Sequence, residues 1–256
     1  MARNVGIGLQ LYTLRQETAQ DFKATLAKVA ALGYEGVEFA GYGGLNAGEL
    51  KELLDELGLQ AIGSHVSLKA LREDLDGQIE YLKTIGGKVL ICPYVAEEER
   101  RHEADWKALY AFLEQTGHTV RERGLAFAYH NHAFEFEAEV DGQFAFDAMY
   151  TYTTPAAVQV ELDVCWVQYA GQDPLAYIRR YAGRLPLLHL KDYLPQAQAG
   201  LDTVELGRGI VDLQAVAEAA VEAGVEWLIV EQDNCPRPPL DSVAESMAWL
   251  RAKGWK

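Results

Sequence analysis

Residues 125–137 read LAFAYHNHAFEFE, and this stretch decides the fold. Large side chains at Leu125, Phe127 and Tyr129 alternate with small ones at Ala126 and Ala128, and His130 and His132 continue the small side. Alternation of this kind is a strand with one roomy face and one crowded face. The bulky set suits a layer of helices, and the small set suits a closed interior. Both histidines therefore point inward at the end of the strand. Just upstream, WKALYAFLEQTGHTVRERG is amphipathic at helical spacing and stops at Gly124, the usual helix stop before a strand.

Moving outward, the same unit recurs along the chain. Strand candidates are VGIGLQLY from Val5, EGVEFA from Glu35, LQAIGSHV from Leu59, KVLICPYV from Lys88, AVQVELDV from Ala157, LPLLHLKD from Leu185 and EWLIVEQD from Glu226. Helical patterns lie between them and end at Gly33, Gly58 and Gly224. Roughly eight strand–helix units in a chain of this length predict an α/β protein, a single (β/α)8 TIM barrel spanning residues 1–256. A doubly wound sheet fits less well, because the first strand is followed by Gln10 and Leu11 rather than by a phosphate-binding glycine loop. Two long connections depart from the pattern. Residues 133–146 suggest a hairpin excursion around Asp141-Gly142, and residues 193–212 a long loop after the seventh strand.

Composition narrows the function. Lys and Arg number 23 against 38 Asp and Glu, a formal net charge of -15, which opposes a nucleic-acid partner. The three cysteines are far apart and form no CxxC pair, so no disulfide framework or zinc knuckle is implied. The opening MARNVGIGLQLYTL is too short and too polar for a signal peptide or membrane span, so a cytoplasmic protein with no membrane partner is expected.

Barrels gather their chemistry at the C-terminal ends of the strands. Those ends supply Gln10 and Tyr12, Glu38, His65, Tyr94, His130 and His132, Glu161 and Asp163 with Trp166, His189 and Lys191, and Glu231 with Asp233. His, Asp, His and Glu from four successive strands make a mixed nitrogen and oxygen set, which suits one divalent cation such as Mn2+, Mg2+, Zn2+ or Co2+. Carboxylates inside a barrel are costly unless a cation offsets them. The plainer alternative is a set of structural ion pairs.

The motifs AYHNHAFEF, VELDVCWVQYAGQDP, LLHLKD, ELGRGIVD and IVEQD together resemble the xylose-isomerase-like superfamily, in particular its sugar phosphate isomerase/epimerase branch. The resemblance implies one divalent metal, most often manganese, held by Asp163, His189 and Glu231. Many relatives place a glutamate where His130 stands here, in an ENH-like triplet that reads HNH in this chain. The strand-five ligand is then His130 or its neighbour His132. Relatives of this kind are often dimers or tetramers, so a homo-oligomer is implied, although no seam is visible.

The shared chemistry is proton abstraction next to a carbonyl, with the ion stabilising the enediolate. The expected activity is isomerisation or epimerisation of a sugar or keto-sugar. The alternative is a lyase or dehydratase acting on a keto-inositol or 3-keto sugar. Glu231 is expected to be both ligand and base, with His132, His65, Lys191 or Glu161 as its partner. Tyr12, Tyr94, Trp166 and Phe39 offer aromatic faces to the substrate, Gln10 and Glu38 can bind hydroxyls, and Arg208 can hold a hydroxyl, phosphate or carboxylate.

Overall fold

The computed structural model describes residues 5–195 and 200–256. Eight parallel strands close into a barrel: β1 Gly6–Gln10, β2 Gly36–Phe39, β3 Gln60–His65, β4 Val89–Cys92, β5 Ala126–His130, β6 Gln159–Asp163, β7 Leu187–Leu190 and β8 Trp227–Val230. Each pairs with its sequence neighbours and β8 closes on β1. The single (β/α)8 barrel read from the sequence is the fold observed.

The helices begin and end where local chemistry says they should. Helix Ala47–Leu57 starts with a capping box in which Asn46 and Glu49 exchange hydrogen bonds. The 20-residue helix Glu103–Glu122 packs Trp106, Leu109, Tyr110, Leu113 and Val120 onto the barrel, as the spacing predicts. None of the described helices is long and apolar enough to cross a membrane.

Two hydrophobic regions result from the strand alternation. The larger fills the shell between strands and helices. The smaller is a plug inside the barrel, made of Ile62, Val89, Ile91, Ala128, Leu187 and Ile229. Glycines on neighbouring strands give this plug its room. A Cβ at Gly8 would sit 2.3 Å from Ile62 Cδ1, and one at Gly63 would sit 2.6 Å from Ile91 Cδ1.

The excursion after β5 is the expected hairpin, with Glu139–Val140 antiparallel to Gln143–Phe144. Its turn residues Asp141 and Gly142 have φ of 49° and 74°, the conformation of a tight two-residue turn. The connection after β7 differs from the plain loop expected. Asp192–Leu194 pairs antiparallel with Asp202–Val204. Beyond it, the buried Asp192 carboxylate accepts hydrogen bonds from the backbone N–H of Tyr193, Gly207, Gly209 and Val211. One carboxylate thus satisfies the turn that no ladder can.

Candidate metal and substrate site

Strand register assembles the site. Gln10 is level with Glu38, His130 with Glu161, and Asp163 with His189. Side chains of one parity therefore meet inside the barrel, at its C-terminal end, in two tiers.

The upper tier is His130, Asp163, His189 and Glu231. One donor atom from each lies within 4.8 Å of all the others, and all four residues are buried. His189 Nδ1 is 3.0 Å from Glu231 Oε2, and His130 Nε2 is 4.0 Å from Asp163 Oδ2. Lys191 is fully buried beside this tier, with Nζ 2.8 Å from Asp163, 2.7 Å from Glu231 and 3.1 Å from Asp233.

The lower tier is Glu38, Glu161 and His65. His65 Nε2 lies 3.0 Å from Glu38 and 2.8 Å from Glu161. The two tiers are joined by His189, whose Nε2 is 2.8 Å from Glu38 Oε2, and by His130, whose Nδ1 is 3.1 Å from Glu161 Oε2.

This packing sets the charges. Burial opposes ionisation of Glu231, but Lys191 and His189 hold its carboxyl well below the usual range. Burial likewise opposes ionisation of Glu38, yet His65 and His189 keep it low. Glu161 is pushed up by burial and by the charge of Glu38. His65, despite burial, is raised to about 10 by Glu38 and Glu161. His132 is lowered to about 3, first by burial and then by Lys191. Asp233 is pushed up to about 6 by burial.

The donor set fits a divalent cation. Asp163 Oδ2, His130 Nδ1 and Glu161 Oε1 are buried without a hydrogen-bond partner; the nearby ion-pair contacts of Asp163 and His130 lack hydrogen-bond direction. Buried orphans of this kind are rare in folded chains and mark a missing partner. Two imidazoles and two carboxylates, without thiolate, suit Mn2+, Zn2+, Co2+ or Mg2+.

Above the tiers opens a cavity of about 550 Å³. His65, His130, His132, Glu231, Tyr12 and Tyr94 all line it. Tyr12 and Tyr94 are 43% and 48% exposed, the exposed aromatic rings at the mouth. Trp166 stands in the short helix Val164–Tyr169, its ring 5.3 Å from that of His132. Both His130 and His132 line the cavity, and the convergent donor group contains His130 and not His132.

Expectation is corrected for Gln10, Glu38, Arg208, Glu161 and Lys191, none of which lines the cavity. Gln10 and Glu38 are fully buried and hydrogen-bonded to each other at 2.7 Å. Neither lines the cavity, because each side chain is engaged inside the barrel, Glu38 with His65 and His189 and Gln10 with Glu38. Arg208 is turned to the surface, where it pairs with Glu245 and lies 3.8 Å from Glu205. Glu161 and Lys191 are also fully buried and off the cavity lining, although Lys191 touches Glu231 and Asp233, which do line it.

Asp233 and Arg15 add charged groups to the cavity lining. Asp233 was visible as a strand-eight end residue of the same parity as Glu231. Arg15 lines the mouth from the helix after β1, its guanidinium 4.3 Å over the Tyr12 ring; no strand-end rule reaches it.

Comparison with known proteins agrees with this architecture. The chain is 26% identical over 275 residues to an inosose dehydratase of Lacticaseibacillus casei, covering 90% of this chain and 89% of the relative. It superposes on the crystal structure of a sugar phosphate isomerase/epimerase from Parabacteroides distasonis with a TM-score of 0.80 and 26% identity, covering 96% and 97% of the two chains. A crystal structure of the IOLI protein, described with a binding zinc atom, shares the fold at a TM-score of 0.74 and 15% identity, covering 98% and 96%. The coarser reading common to the first two names is a sugar-modifying enzyme. The model of the xylose isomerase-like TIM barrel family matches residues 26–253, and the chain belongs to that family.

Proposed function

We propose that this chain is a divalent-metal-dependent lyase that removes water from a keto-inositol or similar keto-polyol, its ion held by His130, Asp163, His189 and Glu231. The convergence of those four donors at the floor of an open cavity carries the reading. The name of the L. casei relative supports dehydration over the simple isomerisation or epimerisation that the sequence suggests first.

When bound, the ion supplies Lewis acidity at the substrate carbonyl, which acidifies the neighbouring C–H. The chain supplies the proton transfers. Glu231 is ionised and lines the cavity, so its carboxylate takes the proton α to the carbonyl. The C–H electron pair becomes the C=C bond of an enol as the β C–O bond breaks. Asp233, with its carboxyl near 6, gives the departing hydroxyl its proton, and water leaves. The enol product then tautomerises to a dicarbonyl. Lys191 touches both carboxylates, at 2.7 and 3.1 Å, and is the path by which the proton returns from Glu231 to Asp233. His132, held neutral, binds a substrate hydroxyl, and Tyr12, Tyr94 and Trp166 flank the ring.

Epimerisation remains the second reading, favoured by the P. distasonis relative. In it a second group returns the proton to the opposite face and no water is lost. The test is NMR and mass spectrometry of a 2-keto-inositol incubated with metal-loaded protein in D2O. Loss of one water supports dehydration. Deuterium at one carbon with the polyol intact supports epimerisation. No change with this or any keto-sugar offered would sink both.

A further inference from the structure

Gln10 and Glu38 are too deep to meet a substrate, yet they are among the most buried polar groups of the chain. Gln10 Nε2 donates to Glu38 Oε2 at 2.7 Å, and the same oxygen lies 2.8 Å from His189 Nε2. The opposite ring nitrogen, Nδ1, faces Glu231 in the upper tier. The His189 ring is therefore addressed from both sides, by a buried carboxylate below and by the donor set above.

We propose that Glu38, itself fixed by Gln10, is a positioning residue for the metal centre. It accepts the Nε2 proton of His189 and so leaves Nδ1 as a lone pair aimed at the ion. An imidazole has one lone pair in its neutral form, so a carboxylate against Nε2 selects the tautomer that can ligate through Nδ1. The Gln10 side chain has its own anchor: its Oε1 accepts from the Tyr12 backbone N–H at 3.0 Å. That bond turns the amide so its NH2 meets Glu38. The other convergent donor group, His65, His130, Glu161 and His189, draws on the same ring; an ion in each group at once, both bound through His189, would require that ring to lose both protons.

This inference rests on the metal reading above, and its test separates the two. Zn2+ and Mn2+ dissociation constants are measured by chelator competition on wild type, Glu38→Gln and Gln10→Leu, each checked for native circular dichroism. Glu38→Gln is expected to weaken binding roughly 10–100-fold, and Gln10→Leu by a smaller factor. Stoichiometric binding by wild type with Glu38→Gln within twofold of it overturns the positioning role alone. No stoichiometric binding by wild type overturns the metal reading as well. If Glu38→Gln does not fold, long-range 1H–15N NMR of histidine-labelled, zinc-loaded wild type decides. A proton on Nε2 of His189 supports the proposal, and one on Nδ1 overturns it.

Discussion

The barrel interior is built on opposite principles at its two ends. Toward the N-terminal end of the strands, Ile62, Val89, Ile91, Ala128, Leu187 and Ile229 form a dry plug with no titratable group. A few residues along the same strands, Glu38, His65, His130, Glu161, Asp163, His189, Lys191 and Glu231 crowd together. The plug stabilises by burying apolar surface and filling volume. The charged end sets its carboxylates against Lys191 and the histidines, and such clusters seldom add net stability. One end holds the barrel closed and the other spends that rigidity on chemistry, keeping its donors in fixed places.

If that division is right, damage to each end should be read by a different instrument. Glu231→Gln should cost the most, a fall in turnover on the order of 10³-fold with the fold retained; a steady-state assay with near-normal activity would break the assignment of the base. Chelation should abolish turnover and lower the melting temperature. An ion present at about 1,000 times its dissociation constant contributes about 4 kcal/mol, roughly 10 °C for a chain this size. A melting curve indifferent to chelator would place no ion at the charged end. Ile229→Ala in the plug should cost about 3 kcal/mol in denaturant unfolding while leaving metal affinity within twofold. A large change in affinity there would mean that the two ends are not separable.

The smallest expected effect is a pH dependence next to the site. Glu135 is fully buried, accepts from the Tyr129 hydroxyl and the His132 N–H, and is pushed up by burial to about 7. Its carboxyl therefore binds more protons folded than unfolded between about 4.5 and 7. Stability from this group is present below 4.5, declines as pH rises through that window, and is gone above 7. Glu135→Gln should flatten that decline. The stability difference between variant and wild type should grow by about 2 kcal/mol from pH 5 to pH 8 in chemical denaturation. A difference constant with pH would show Glu135 to be ionised throughout.

Much of this was legible in the chain itself. The alternation in LAFAYHNH, repeated with glycine-stopped helices, determined the barrel, because strand and helix periods are properties of local backbone geometry. Strand parity also sent His130, His132, Asp163, His189 and Glu231 to one end of one interior. What parity does not carry is contact. Gln10 and Glu38 read as wall residues and proved fully buried, bonded to each other and, through Glu38, to His189, because which interior side chains meet is set by closure of the whole barrel. The same limit hid the three-carboxylate setting of Lys191 and the exile of Arg208 to Glu245. Those depend on loops and neighbours far apart in sequence, such as the clasp around Asp192. The sequence by itself settled which groups face the cavity end, since that follows from each strand alone; only the tertiary structure decided which of them touch, since distance between strands is a collective outcome of packing.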